Sequence, residues 1–156
     1  MWYNGVGVRI LGDLIYTRLA KTDDADIAQI SAVYDLPKIA RYIAIGEQYF
    51  DYVTGNETVY FYKIFDENAL IGTIHLEMQE DTMFLSVVVF PQHQNAGYGT
   101  KVLTDIQKDV FGLGYKRIEV SIDETNTPSI GLFEKVGFAF VSQEDELRNY
   151  VWRKGE

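Results

Sequence analysis

Apolar and polar positions along this chain repeat with two different periods, which separate strands from helices. Residues 24–34, 36–53, 97–111 and 127–136 place their apolar side chains at helical spacing. Strand runs come first along the chain and then alternate with helices, so the sequence predicts a mixed α/β sheet covered by helices. The runs typical of strands lie at 6–11, 14–20, 58–65, 70–78, 82–90, 115–123, 138–143 and 147–153.

Caps and turns agree with these boundaries. Polar residues 22–24 supply N-cap chemistry for the first helix, and Pro37 fits the first turn of the second. The short polar breaks at 66–68 and 79–81 predict hairpin turns between strands. Gly137 suits the left-handed residue that ends the helix before it.

Composition bounds the class of protein. With 156 residues, 47% of them apolar, we expect a single domain over 1–156, in which 1–13 form an extension that can add a strand. Acidic residues outnumber basic ones by 23 to 14, and the net charge of −9 argues against non-specific nucleic-acid binding. The chain has no cysteine, no signal-peptide pattern at its start and no apolar run of membrane-spanning length. These features predict a soluble cytoplasmic protein that binds neither nucleic acid nor membrane.

Residues 94–100 carry the strongest chemical signal. They follow the apolar run 87–90 and open the helix predicted at 97–111, so a strand leads into a glycine-bearing loop at a helix start. Gly97 and Gly99 remove the Cβ atoms that would keep a ligand away from the backbone. The first-turn N–H groups lack helical partners and carry the positive end of the helix dipole. The segment therefore predicts a site for a phosphate or pyrophosphate.

Spacing narrows the choice of phosphorylated ligand. Gly99 is followed by Thr100 and Lys101, the reverse of the order that a P-loop requires. A dinucleotide-binding fingerprint needs a third glycine where Val102 stands, although Glu119 lies where its ribose-binding acid would be expected. A dinucleotide site, and a loop that only turns tightly, remain alternatives at this point.

A second motif follows the apolar run at 118–122. Residues 126–138 read Asn-Thr-Pro-Ser-Ile-Gly-Leu-Phe-Glu-Lys-Val-Gly-Phe. Together the two segments resemble the GNAT superfamily of acetyl-CoA-dependent N-acetyltransferases. The first is similar to the family's Gln/Arg-x-x-Gly-x-Gly/Ala pyrophosphate loop, and the second to its Asn-x-x-Ala/Ser-x-x-x-Tyr/Phe-x-Lys-x-Gly-Phe helix. The resemblance extends over residues 16–154.

The resemblance implies a fold, a co-substrate and the residues that contact it. The implied fold is a mixed, mainly antiparallel central sheet of about seven strands flanked by about four helices. Acetyl-CoA is the implied acetyl donor. Its pantetheine pairs with a strand that splays from its neighbour, and a backbone N–H of that strand, with Val88 as the candidate, faces the developing oxyanion. The implied coenzyme contacts are Val87, Val88, Val89, Gln94, Asn95, Ala96, Gly97, Tyr98, Gly99, Thr100, Asn126 and Phe133.

Position 133 departs from the family pattern. Many members carry a tyrosine there to protonate the coenzyme's sulfur, whereas Phe133 has no proton to give. Two interpretations follow: an enzyme that works without this acid, or a coenzyme-binding sensor or interaction domain with little catalysis. A thiol with a pKa of about 8.5 leaves acceptably as thiolate, and acid help is worth roughly 10²–10⁴-fold, so the enzyme is favoured.

The proton acceptor is less well specified by the sequence. In this family the amine attacks the thioester directly, and an amine with a pKa of about 10.4 must first lose a proton. His75 and Glu77 share one face of a strand by alternation and are the catalytic candidates, with a water or bulk solvent as the alternative. A His-x-Glu zinc site would need the cysteines that this chain lacks, so no metal is expected.

The acceptor side is predicted from residues 24–53 and the final hairpin. Tyr42, Tyr49 and Tyr52, with Glu47 and Asp51, are candidates for lining a site for a cation, and the alternative is a surface helix whose tyrosines pack against the core. We expect a small-molecule amine or a peptide amine as the acceptor. The sequence leaves open the acceptor's identity and whether the chain acts as a monomer or a homodimer.

Overall fold

A seven-stranded sheet dominates the computed structural model, which describes residues 2–3, 9–10 and 12–155. The strands are β1 (Trp2–Tyr3), β2 (Arg9–Ile10), β3 (Ile15–Arg18), β4 (Val59–Asp66), β5 (Ala69–Gln79), β6 (Thr82–Val89), β7 (Arg117–Asp123), β8 (Ala139–Glu144) and β9 (Leu147–Arg153). The large sheet has the order β3-β4-β5-β6-β7-β9-β8, and β1 pairs with β2 separately. Within the large sheet β6 and β7 run parallel, and every other neighbouring pair is antiparallel. The mainly antiparallel sheet of seven strands is confirmed.

Among the described residues, five α-helices cover the two faces of this sheet. They are α1 (Ile27–Tyr34), α2 (Pro37–Ala40), α3 (Tyr49–Gly55), α4 (Tyr98–Gln107) and α5 (Thr127–Lys135). Alternation along β5 shows how the faces differ: Ile74 and Leu76 are buried in the core that includes α4 and α5. The residues between and beside them, Thr73, His75 and Glu77, point to the opposite face, where α1 and α3 pack.

The first helix begins later than the polar residues 22–24 indicate. Asp24 turns the chain before the helix, because its Oδ1 accepts the N–H of Asp26 at 2.8 Å. The helix starts at Ile27, and its N-cap residue Asp26 makes no capping bond through its side chain. The carboxylates of Asp24 and Asp26 instead each lie 2.8 Å from the Nζ atom of Lys63 on β4. Asp24, which the sequence predicts to cap the helix, is instead bound in a tertiary ion pair with Lys63.

The prediction of one helix over 36–53 is wrong. The structure has two short helices, α2 and α3, separated by residues 41–48. Gly46 lies in that interval and costs a helix roughly 1 kcal/mol relative to alanine. The two parts of the segment also contact different elements, since Tyr42 reaches Thr125 in the loop before α5 and Tyr49 reaches His75 on β5. Apolar spacing alone does not reveal this break.

Other predicted boundaries are close to the observed ones. The turns after β4 and β5 contain Glu67 and Glu80 with positive φ, and Gly137 has φ 96° after α5, as expected. Helix α4 ends at Gln107, short of the predicted residue 111, because Asp109 accepts the backbone N–H groups of residues 113 and 114 and turns the chain. Of the predicted strand 6–11, residues 9–10 form β2, and 6–8 and 11 lie outside the described residues. Within the described ranges, no helix has the length and hydropathy needed to cross a membrane.

Candidate active site

The parallel strands β6 and β7 are paired over only part of their length. Their register contains three pairs, of which Phe84 with Glu119 is the last. Beyond it β6 continues to pair with β5 as far as Val89, but no residue of β7 is in register with residues 85–89. One backbone edge of β6 therefore faces a gap in the sheet, which agrees with the splayed strand that the family resemblance implies.

The direction of the backbone N–H groups identifies which residues face this gap. The N–H of Phe90 donates to the carbonyl of Ile71 on β5 at 2.8 Å. Since N–H groups of alternate residues point the same way along a strand, the N–H of Val88 also points to β5. The N–H groups of Val87 and Val89 point to the gap. The expectation that Val88 supplies the oxyanion donor is thus wrong, and Val87 and Val89 are the residues with suitably directed N–H groups.

The start of α4 lies at the end of this gap. Gly97 and Asn95 have φ of 89° and 61°, so two left-handed residues shape the loop in front of the helix. The first bond of the helix runs from the N–H of Lys101 to the carbonyl of Gly97 at 3.1 Å. This leaves the N–H groups of Gly99 and Thr100 outside the helical ladder, at the positive end of the dipole. The loop has the backbone geometry of an anion site.

Gly99 has a second reason to be glycine. An added Cβ would lie 2.8 Å from Cδ2 of Leu132 on α5. Glycine therefore lets α4 pack closely on α5, and a larger residue would have to displace the terminal methyl groups of Leu132. For Gly97 the requirement is its positive φ.

A cavity of about 620 Å³ joins the gap to the start of α4. Of the residues implied to contact the coenzyme, Val87, Val88, Val89, Gln94, Asn95, Gly97, Tyr98, Gly99, Thr100, Asn126 and Phe133 line it, and Ala96 does not. Gln94 also closes the end of β6, because its side-chain amide donates to the carbonyl of Val89 at 3.0 Å. The structure thus brings two segments that are 30 residues apart in sequence to one cavity.

The second motif contributes a capped helix and an aromatic wall. The Oδ1 atom of Asn126 accepts the N–H of Ser129 at 3.4 Å, so Asn126 caps α5 while also lining the cavity. Phe133 is 5% exposed, and its ring packs edge-on against Phe138 with centroids 5.0 Å apart. The side chain at position 133 is therefore part of both the cavity wall and the core, and it offers no proton.

Tyr42 bridges the two walls of the cavity. It lines the cavity from the segment after α2, and its hydroxyl lies 3.2 Å from Oγ1 of Thr125 in the loop before α5. The Thr125 hydroxyl in turn donates to Asp123 at 2.6 Å, and this hydrogen bond lowers the pKa of the Asp123 carboxyl below its ordinary value. Tyr42 therefore belongs to this cavity, apart from Tyr49 and Tyr52.

His75 and Glu77 lie on β5, on the face covered by α3, and do not line this cavity. They are in contact with one another, since Nε2 of His75 is 2.8 Å from Oε1 of Glu77. His75 is in register with Ser86 and Glu77 with Phe84, where the pairing of β6 and β7 ends. Glu77 is thus about three residues, or ~10 Å of strand, from the level of Val87.

Two tyrosines of α3 complete this cluster, and their contacts with His75 and Glu77 are not predictable from local sequence. The hydroxyl of Tyr49 lies 2.5 Å from Nδ1 of His75, and that of Tyr52 donates to Oε1 of Glu77 at 2.9 Å. Burial raises the pKa of Tyr49 far above its ordinary value, with the neighbouring Tyr34 and Glu77 adding to the effect. The phenol is therefore protonated at neutral pH and able to donate.

Glu119, the residue that a dinucleotide site would need, is already engaged. Its carboxylate pairs with the guanidinium of Arg117 on the same strand, beside Phe84 and away from the start of α4. In the part of the chain that the structure describes, no group of three or more His, Asp or Glu side chains has the arrangement of a metal site.

Comparison with known proteins agrees with this geometry. The model of the acetyltransferase (GNAT) family matches residues 27–138, and the chain belongs to this family. It is 25% identical over 99 residues to the SPbeta prophage-derived uncharacterized N-acetyltransferase YokL of Bacillus subtilis (strain 168), covering 61% of this chain. The chain spans only 54% of the length of that relative.

Two solved structures share the fold at low identity. The spermidine N-acetyltransferase of Vibrio cholerae, in complex with CoA and spermine, has a TM-score of 0.77 at 15% identity and covers 90% of this chain and 95% of its own. The N-acetyltransferase PseH of Campylobacter jejuni, in complex with acetyl coenzyme A, has a TM-score of 0.74 at 12% identity, with coverage of 91% and 99%. These similarities show that the chain has the GNAT fold over most of its length, including the strands on both sides of the gap.

Proposed function

We propose that this chain transfers the acetyl group of acetyl-CoA to a primary amine by direct attack of the amine on the thioester. The observation that carries the proposal is the gap between β6 and β7, which leads from a free strand edge to the glycine loop of α4. A strand edge suits the amide groups of pantetheine, and a helix start suits a pyrophosphate. Membership of the GNAT family supports the reaction class.

The coenzyme fits this cavity as follows. Its pyrophosphate lies on residues 94–100, where the N–H groups of Gly99 and Thr100 are outside the helical ladder. The pantetheine follows the edge of β6, and the N–H of Val87 or Val89 stabilises the oxyanion that develops on the acetyl carbonyl. Asn126 and Phe133 form the opposite wall.

The acceptor approaches from the face that carries His75 and Glu77. The net charge of −9 supports a cationic acceptor, and we propose a small-molecule amine or a peptide amine. The His75–Glu77 pair takes up the amine's proton through water, because Glu77 lies ~10 Å along β5 from the level of Val87. We further propose that residues 1–156 work as one domain in the cytoplasm.

A thiol-release assay tests the reaction directly. Purified protein and acetyl-CoA are incubated with polyamines, amino sugars, aminoglycosides and peptides with free N-termini, and the free coenzyme thiol is followed with a chromogenic disulfide. We expect amine-dependent release with at least one class, and mass spectrometry should find that amine acetylated. Acetyl-CoA binding without release across the whole panel would contradict an enzyme.

The second candidate is a coenzyme-binding sensor or interaction domain with little catalysis. The observation that favours it is Phe133, which places a buried phenyl ring where many relatives carry an acid. Calorimetry with acetyl-CoA and with NAD distinguishes an acetyl-CoA site, which both the enzyme and the sensor require, from a dinucleotide site. Turnover then distinguishes the enzyme from the sensor.

A further inference from the structure

A continuous chain of hydrogen bonds joins α3 to β5 on the sheet face opposite α4 and α5. It runs from the Tyr49 hydroxyl to Nδ1 of His75 at 2.5 Å, and from Nε2 of His75 to Oε1 of Glu77 at 2.8 Å. The hydroxyl of Tyr52 donates to the same carboxylate oxygen at 2.9 Å. Both ring nitrogens of His75 are therefore in use.

If the imidazole of His75 is neutral, these hydrogen bonds allow only one arrangement of the protons. A neutral imidazole has one N–H donor and one acceptor nitrogen, and an ionised carboxylate only accepts. The nitrogen that faces Glu77, Nε2, must therefore carry the hydrogen, and Nδ1 must accept. Tyr49 has a hydrogen to give, because burial keeps its hydroxyl protonated.

We propose that Tyr49 holds His75 in its Nε2–H form, and that Glu77, rather than His75, receives the proton released by the acceptor amine. The inference rests on the acetyl transfer proposed above. With Tyr49 on Nδ1, the lone pair of His75 is not open to the amine. The Glu77 side chain is 37% exposed against 16% for His75. Both bonds to Glu77 end on Oε1, which leaves Oε2 without a partner among the described residues.

The transfer balances as follows. The lone pair of the neutral amine forms a bond to the acetyl carbonyl carbon, the C–S bond breaks, and the sulfur leaves as thiolate. The surplus N–H proton passes through water to the Glu77 carboxylate, and Glu77 later returns it to solvent. The thiolate takes a proton from water. Tyr49 and His75 keep their hydrogens throughout, so Tyr49 is a positioning residue.

The groups around His75 come from every element packed against it. From α1, Tyr34 packs beside Tyr49 and binds Thr73 at 2.7 Å, with burial raising the pKa of Tyr34 to about 12. From β4, the ring of Phe61 lies 6.4 Å from the imidazole, and Ser86 is its register partner on β6. The remaining neighbours are Tyr49, Tyr52 and Glu77, and Glu77 is the one acidic residue in this set.

Nitrogen NMR decides the position of the proton without any activity measurement. The chain has two histidines, so protein labelled with ¹⁵N in histidine gives two sets of ring signals, and a His93→Gln variant assigns them. We expect His75 at neutral pH to show a hydrogen on Nε2 and an unprotonated Nδ1. A hydrogen on Nδ1 alone, or on both nitrogens, would overturn the assignment. Tyr49→Phe should weaken the preference, because Glu77 alone then favours a hydrogen on Nε2, whereas Tyr52→Phe should leave it unchanged.

Kinetics then test the role of Glu77. Glu77→Gln keeps a carbonyl that can accept from Nε2 but cannot take a proton, so the NMR signature should persist while turnover falls roughly 10²-fold or more. Acetyl-CoA affinity should not change. Turnover within about threefold of wild type in Glu77→Gln would overturn the role given to Glu77.

A double variant shows whether Tyr49 and Glu77 act together or independently. Tyr49→Phe should lower turnover less than Glu77→Gln, and Tyr49→Phe/Glu77→Gln should match Glu77→Gln alone, because residues that act together are non-additive. Losses that multiply would show that Tyr49 acts independently of Glu77. A wild-type protein that acetylates no amine would refute the proposed function and the role of Glu77, while the NMR result would still decide where the proton lies.

Discussion

Gly99 and Leu132 meet where α4 packs on α5, and a Cβ at position 99 would stand 2.8 Å from Cδ2 of Leu132. The same glycine lines the cavity and opens the helix proposed to hold the pyrophosphate. One residue therefore serves both the packing of the two helices and the shape of the site. Substitutions at position 99 must be designed so that these two effects can be told apart.

Packing at this contact is testable by a double-mutant cycle. Gly99→Ala places a methyl group against the terminal methyl groups of Leu132, which can move, so we expect a cost near the low end of the roughly 1–3 kcal/mol typical of overpacking. In a Leu132→Ala background the obstacle is gone, and alanine should be neutral or favoured by up to ~1 kcal/mol through its helix propensity. Urea unfolding of the four proteins measures the coupling. Equal costs of Gly99→Ala in both backgrounds would contradict the contact.

The anion site is tested better at Thr100, which avoids the contact with Leu132. An acidic residue in the first turn of α4 interacts favourably with the helix dipole, so Thr100→Asp should leave the free energy of unfolding equal or higher. The same charge repels a bound pyrophosphate, so we expect acetyl-CoA affinity to fall by about tenfold or more, equivalent to ~1.4 kcal/mol.

Thr100→Asn is the matched control, since it has nearly the same shape without the charge and should bind acetyl-CoA almost as wild type does. Calorimetry gives the affinities and thermal unfolding gives the stabilities. If Thr100→Asp binds acetyl-CoA as tightly as Thr100→Asn does, the pyrophosphate does not lie on this helix start.

The ion pair of Lys63 with Asp24 should make stability depend on pH in a defined direction. Burial opposes ionisation of Asp24, but the hydrogen bond and charge of Lys63 outweigh it and lower the pKa of the carboxyl. A group whose pKa is depressed on folding contributes stability above its unfolded pKa of 3.8 and loses it as pH falls through the lower folded value. The pKa of Lys63 is raised, so its share is lost only at strongly alkaline pH.

Lys63→Met removes the partner and keeps the length of the side chain. At pH 7 we expect it to lower the free energy of unfolding by about 1–3 kcal/mol, because two carboxylates lose a charged hydrogen bond. The difference from wild type should shrink as the pH falls below about 3.8, where carboxylates protonate. Urea titrations across this range measure it, and a difference that stays constant with pH would show that packing, and not charge, accounts for the loss.

Local sequence was sufficient for most of the fold. The three-stranded meander β4–β5–β6 was predictable because its signals, apolar alternation and polar breaks such as 79–81, each lie within a few residues of sequence. The break between α2 and α3 was not, because it depends on tertiary bonds from Tyr42 and Tyr49. The start of α1 was displaced for the same reason, since Lys63 on a distant strand binds the expected cap.

The site divides along the same line. Residues 94–100 and 126–138 were assigned from motifs, and the structure places them around one cavity. The direction of the Val88 N–H needed the register with β5, which period-2 spacing does not give. The contacts of Tyr49 and Tyr52 with His75 and Glu77 join elements 25 and 26 residues apart, and such contacts leave no local trace in a single sequence.

Phe133 offers the most direct test of how the leaving thiolate is handled. Its ring lies at the cavity wall against Phe138, so Phe133→Tyr adds one hydroxyl at the edge of a cavity of about 620 Å³ and should not disturb the core. If position 133 lies beside the coenzyme's sulfur, the phenol supplies a proton that the wild type takes from water. We therefore expect turnover equal to wild type or up to roughly 10²-fold higher, with unchanged acetyl-CoA affinity.

Phe133→Leu controls for the ring itself, and should bind acetyl-CoA more weakly without gaining rate. A folded Phe133→Tyr protein that keeps its acetyl-CoA affinity but loses tenfold or more in turnover would show that position 133 does not lie beside the sulfur.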